Sequence, residues 1–231
     1  MTEITDKNKR KEPQLLHRSA DLNNRHDRTL RMVQMAMLVA ISSILVFICF
    51  PIVPGAPFLK YDMADVPILL ATMTMGAPAG MIVLIAASAI QAFVFGHDGP
   101  IGFLMHVVAS GTLVLVARGI YCASRKKTWG KILGLAVGVL AWVAVMIPMN
   151  FIFTPKVMMD APIGESASIF WHSIFGGFDP AAYSEVTVSA FGTVKGLLLI
   201  GLLPFNLLKA GLNSAIFLAV DRALPKLIKK H

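Results

Sequence analysis

The chain carries a series of apolar runs separated by short polar flanks, and their lengths leave few places for it to fold other than a lipid bilayer. The runs lie at about residues 32 to 51, 66 to 76, 78 to 95, 101 to 122, 132 to 154 and 196 to 220. A hydrocarbon core about 30 Å thick needs roughly 20 apolar residues at a rise of 1.5 Å each, and several runs supply that. Composition agrees: 56% of the 231 residues are hydrophobic and 15% are charged, against about 25% charged in soluble globular chains. The expected fold class is therefore all-α, a polytopic membrane protein of six transmembrane helices. The second and third spans are separated only by "GAPAG", Gly76 to Gly80, where dense Gly and Pro favour a turn over one kinked helix.

Sidedness follows from the basic residues, because positively charged short loops stay cytoplasmic. Lys7, Lys9, Arg10, Lys11, Arg18, Arg25, Arg28 and Arg31 precede the first span. Arg118, Arg125, Lys126, Lys127 and Lys131 surround the loop after the fourth, and Arg222, Lys226, Lys229 and Lys230 close the chain. Both termini are expected inside, which requires an even number of spans. Residues 1–30 are expected to form a disordered cytosolic tail, 31–225 the membrane domain and 226–231 a basic tail. The segment 155–194 reads as a long external loop. Its Phe170, Trp171, Phe175, Phe178 and Tyr183 suit an interfacial aromatic belt or a cover over a cavity. Cys49 and Cys122 fall near opposite membrane faces and are not expected to pair.

Several function classes are excluded by what the chain lacks. It has no GxxxxGK[ST] loop for ATP phosphates, no HExxH or CxxC metal pattern and no carboxylate inside the apolar runs to relay protons. No catalytic residue, cofactor or metal site is expected, and the chain does not read as an enzyme. The formal charge of +8 sits in short flanks without any motif that reads bases, so nucleic acid is not a partner. A transporter of this kind is passive or takes its energy from another polypeptide.

The polar residues inside the spans are Gln91, His106, Asn150, Asn206, Lys209 and Asn213. Isolated Asn, Gln and His commonly tie neighbouring helices together, and Gln91 and Asn213 are read so. Asn206, Lys209 and Asn213 lie at i, i+3 and i+7, on one face of a helix. A lysine near the bilayer centre costs about 2.5 to 3.5 kcal/mol on insertion scales, so Asn206 with Lys209 reads as a ligand-binding pair. On that reading, Lys209→Met is expected to abolish binding while leaving membrane insertion intact or improved. The loop "FPIVPGAPFLKYDMADVP", Phe50 to Pro67, adds Lys60, Asp62 and Asp65. Ala36 with Ala40, and Gly134 with Gly138, form small-xxx-small faces that allow close helix approach.

"FPIVPGAPFLKYDMADVPILL", "GAPAG", "MIPMNFIFTP" and "LLPFNLLKAGLNS" together resemble the substrate-binding S components of energy-coupling factor (ECF) vitamin transporters, in particular their riboflavin-specific branch. The resemblance covers nearly all of residues 31 to 225. It implies a six-helix protein that binds a vitamin near its extracellular face. A transmembrane coupling protein and two ATPase subunits are the partners that it implies. Asn150, Asn206 and Lys209 match flavin-contacting positions, and Pro57 to Asp62, with Lys60, resembles a lid over the vitamin. Ala36 and Ala40 match the positions that contact the coupling protein. Asn amides suit the uracil-like edge of an isoalloxazine, and a lysine donates to carbonyl or hydroxyl oxygens. The chain departs from that branch in the third span, where Leu84, Ala87 and Ser88 replace the usual Glu and Lys-Asn pair. In the fourth span, His106 stands where an Asn is usual and joins the candidate substrate contacts. Two other readings follow: an S component for another vitamin or nucleobase-like precursor, and a solitary structural membrane protein.

Overall fold

A computed structural model describes the backbone of residues 2–52, 59–95, 99–157 and 197–228, and the side chains of 25–52, 59–95, 99–149 and 200–223. Among the described residues there are six α-helices: α1 (Thr2–Phe47), α2 (Asp65–Met75), α3 (Ala77–Ala89), α4 (Gly99–Ala123), α5 (Thr128–Val157) and α6 (Leu203–Ile228). Each of the six apolar runs is a helix. Two short strands, β1 (Phe50–Pro51) and β2 (Lys60–Tyr61), pair antiparallel between α1 and α2. The backbone forms two units, Met1–Met37 and Leu38–His231, and the second holds the bundle. Helical backbone begins at Thr2, within the polar stretch read as a tail without structure.

Five of the helices contain a segment long and apolar enough to cross a membrane: Arg25–Phe47, Ala77–Val94, Gly99–Ala123, Thr128–Met149 and Ile200–Ala223. The exception is α2, whose 11 residues span about 16 Å at the α-helical rise, roughly half the hydrocarbon thickness. Its first residue is the fully buried Asp65, so the helix begins at a polar centre inside the bundle. The expected turn at "GAPAG" is present. Gly76 has φ 105° and ends α2, and Pro78 lies in the first turn of α3. Only glycine adopts that φ without strain, and proline is tolerated in a first turn because its missing N–H has no partner there.

Close approach also joins α4 and α5. A Cβ on Gly134 would lie 2.5 Å from the Ala117 carbonyl oxygen, and one on Gly138 would lie 2.9 Å from both the carbonyl oxygen and the side chain of Leu113. The small-residue face of the fifth span is thus consumed by packing within the chain. Two stretches of π-helical backbone, Ile90–Val94 and Leu197–Leu202, end α3 and lead into α6. Such wide turns redirect side chains at the cost of regular pairing. Outward faces of α1 and α5 are apolar, with Met32, Ile44 and Leu140 exposed, as lipid contact requires.

Overpacking a fitted helix contact costs about 1 to 3 kcal/mol. Gly134→Val is therefore expected to lower the thermal unfolding temperature of the purified protein, while Ala144→Val, at an exposed position of the same helix, leaves it near the parent. Equal melting of the Gly134→Val and parent proteins would contradict the α4–α5 contact.

Candidate functional site

Residues 60–65 run from β2 into α2 and are pinned from several sides. Asp62 is the pivot. Its Oδ1 accepts the Ala64 backbone N–H at 3.0 Å, the local turn that a short acidic side chain favours two residues ahead. Its Oδ2 accepts from Lys209 Nζ of α6 at 2.8 Å. Ser42 Oγ of α1 donates to the Ala64 carbonyl at 2.7 Å. The cost of a lysine in this helix is thereby offset by a carboxylate from a segment distant in sequence, with side-chain exposures of 14% for Lys209 and 9% for Asp62.

Beneath this pair lies Asp65, with no solvent exposure. Its Oδ1 accepts from Ser110 Oγ at 2.6 Å and His106 Nε2 at 3.2 Å, both on α4. Its Oδ2 accepts from Asn213 Nδ2 of α6 at 3.1 Å. Asn213 Nδ2 also donates to the Asp62 carbonyl at 3.1 Å, and Asn213 Oδ1 accepts the Tyr61 hydroxyl at 3.0 Å. The other ring nitrogen of His106, Nδ1, pairs with Ser88 Oγ of α3 at 2.8 Å. Burial, with Asp62 adding to it, pushes the Tyr61 phenol above its ordinary value, so it stays protonated as the donor to Asn213. A buried ion survives only when donors surround it, and here they arrive from two elements, α4 and α6.

Asn206 occupies the same face of α6 one turn before Lys209. It is buried, its Oδ1 accepts from Trp142 Nε1 of α5 at 3.2 Å, and its Nδ2 donates to the Leu202 carbonyl at 2.8 Å. The expected alignment of Asn206, Lys209 and Asn213 holds, and the three engage α5, the 60–65 segment and the start of α2 in turn. Asn213 ties elements together as its sequence setting suggests. The buried Oε1 of Gln91 has no hydrogen-bond partner among the described residues.

The candidate contacts are thus only partly brought together. Asp62, Lys209 and Asn206 cluster along α6, and His106 joins them indirectly through Asp65. Lys60 is exposed on β2. The Asn150 side chain, Pro57 and Phe58 of the expected lid, and residues 158–194 of the expected external loop lie outside the described residues. Ser110, Tyr61 and Trp142 are site residues that sequence reasoning missed, and Ser88 and Asp65 are named there without a role in the site. Asp65 falls in the loop Phe50 to Pro67 by sequence but is the first residue of α2. Its spacing from Asp62, in a segment ending at Pro67, was the available signal. A buried tryptophan needs a partner for its N–H, which is the signal that Trp142 offered.

The ion pair changes the expectation for Lys209→Met. Removing the lysine does not simply relieve a cost, because it leaves the Asp62 carboxylate buried without its cation. Breaking one side of a buried pair costs about 3 kcal/mol, so Lys209→Met should unfold at lower temperature than the parent, and Asp62→Asn in the same chain should recover part of the loss. A Lys209→Met protein as stable as its parent would contradict the pairing.

Comparisons with known proteins agree with this architecture. The family model described as ECF transporter, substrate-specific component matches residues 30–220. The riboflavin transporter RibU of Staphylococcus aureus (strain TCH60) is 28% identical over 201 residues, covering 87% of this chain and 93% of the relative. The riboflavin transporter FmnP of Bacillus subtilis (strain 168) is 26% identical over 190 residues, covering 81% and 87%. A solved structure described as the S component of a bacterial ECF transporter superposes with a TM-score of 0.63 at 27% identity, covering 87% of this chain and 99% of that one. The chain therefore belongs to the substrate-specific component family of ECF transporters.

Proposed function

We propose that this membrane protein captures riboflavin at the extracellular side and delivers it for uptake driven by ATP hydrolysis in partner subunits. The observation that carries the reading is the polar face of α6, Asn206 and Lys209, set against Asp62 in the segment that enters α2. The curated relatives reported above are named as riboflavin transporters over most of their length, which supports the choice of cargo. In this reading the Lys209 ammonium donates to a ring carbonyl. Asn206 offers both ends of its amide to the imide edge of the flavin by exchanging its contacts with Trp142 and Leu202. Asn150 completes the set of ring contacts, and Lys60 and Asp62 belong to the segment that closes over the vitamin.

Both ring nitrogens of His106 are engaged by Ser88 and Asp65. That removes the motive for giving this histidine to a different cargo. The partners are a transmembrane coupling protein and two ATPase subunits. Ala36 and Ala40 are both exposed on α1 and furnish the close-packing face for the coupling protein. Both termini then lie in the cytoplasm, as the basic flanks require.

Burying a flat tricyclic ring with a few directed hydrogen bonds supports nanomolar binding, about −12 kcal/mol. Riboflavin fluorescence is therefore expected to fall at stoichiometric purified protein. Protein that ignores micromolar riboflavin and binds another vitamin would overturn the assignment. Separately, Ala36→Trp with Ala40→Trp should leave riboflavin binding near the parent while abolishing co-purification with the coupling protein and cellular uptake. Parental uptake by the double variant would remove α1 from the coupling contact.

A further inference from the structure

The hydrogen-bond pattern around Asp65 has a direction as well as a set of partners. An amide has one donor end and one acceptor end, whereas an ionised carboxylate only accepts. The Asp65 carboxylate, with the Asp62 carbonyl that also only accepts, therefore fixes which way Asn213 faces. The Asn213 NH2 group points toward Asp65 Oδ2 and the Asp62 carbonyl, both at 3.1 Å, and its oxygen receives the Tyr61 hydroxyl at 3.0 Å. The Asp62 backbone is thus gripped by Asn213, and its Oδ1 is fixed by the Ala64 N–H. The remaining oxygen, Oδ2, is left aimed at Lys209 Nζ, 2.8 Å away. Neutral side chains would serve to glue these helices. What a carboxylate at position 65 adds is acceptance at both oxygens, with no donor to turn the amide around.

Resting on the assignment of Lys209 to the ligand, we infer that Asp65 is a positioning residue for vitamin capture, acting through Asn213 and Asp62 to hold the Lys209 ammonium in place. His106 and Ser110 hold Asp65 in turn, both on Oδ1, and Ser88 orients the His106 ring. The histidine therefore serves the ligand without touching it. The sequence departures in the third and fourth spans, Ser88 and His106, meet in one hydrogen bond at the outer end of this chain of contacts.

A double-mutant cycle read as riboflavin affinity separates aiming from mere support. Asp65→Asn and Asp62→Asn in the full-length protein should each weaken riboflavin binding by about tenfold or more. The double variant should be no weaker than the worse single variant within about twofold, because both act on Lys209 by one route. Losses that multiply to about a hundredfold would mean independent action and would overturn the inference. If Asp65→Asn does not fold, Ser110→Ala, which removes one donor from the same carboxylate, takes its place in the cycle. His106→Leu should also weaken binding, and His106→Gln, whose amide N–H can replace Nε2, should restore most of that loss. Parental affinity in His106→Leu would overturn the chain of contacts. A parent protein that binds no riboflavin overturns the proposed function together with this inference, whereas a parent that binds it with multiplicative losses overturns the inference alone.

Discussion

A carboxylate without solvent exposure holds together the part of this molecule on which the rest depends. Asp65 begins α2 and gathers donors from α4 and α6, and through Asn213 it fixes the backbone of Asp62. Burying such an ion is unfavourable by several kcal/mol unless its lone pairs are filled. The short α2, the placement of Ser110 and His106 on one face of α4, and the polar stripe of α6 are the arrangement that fills them. The short α2 starts at this centre and is ended by the turn at Gly76.

The second charged pair has a different character. Lys209 and Asp62 keep some exposure. A pair of that kind tolerates a polar ligand beside it better than the sealed Asp65 centre would. The site therefore divides into a fixed polar base and an adaptable polar rim. The proposed capture of a flavin uses the rim, and the base keeps the rim's geometry from drifting when the contacts there are exchanged.

Much of the scaffold was legible in the residues. The six apolar runs, the glycine turn at Gly76 and the close-packing face at Gly134 and Gly138 follow from local rules of length, φ and side-chain size, which a sequence displays directly. The shared face of Asn206, Lys209 and Asn213 was legible for the same reason, since helical periodicity sets it. The partners of that face were not. Asp62 meets Lys209, and Asp65 meets His106, across long stretches of chain, and no local pattern reports such a meeting. Asp65 shows this most clearly: by sequence it belongs to the loop Phe50 to Pro67, whereas in the structure it starts α2 and is fully buried. His106 enters the candidate contacts through the family resemblance, and its bonds to Ser88 and Asp65 join helices that no local pattern brings together.

The most direct test of this account is an experimental structure of the protein with riboflavin bound. The account predicts Lys209 Nζ and the Asn206 amide within hydrogen-bond distance of the isoalloxazine ring, with Asp65 still bonded to His106, Ser110 and Asn213. A flavin seated away from Lys209, or an Asp65 that has released these partners to reach the ligand itself, would contradict it.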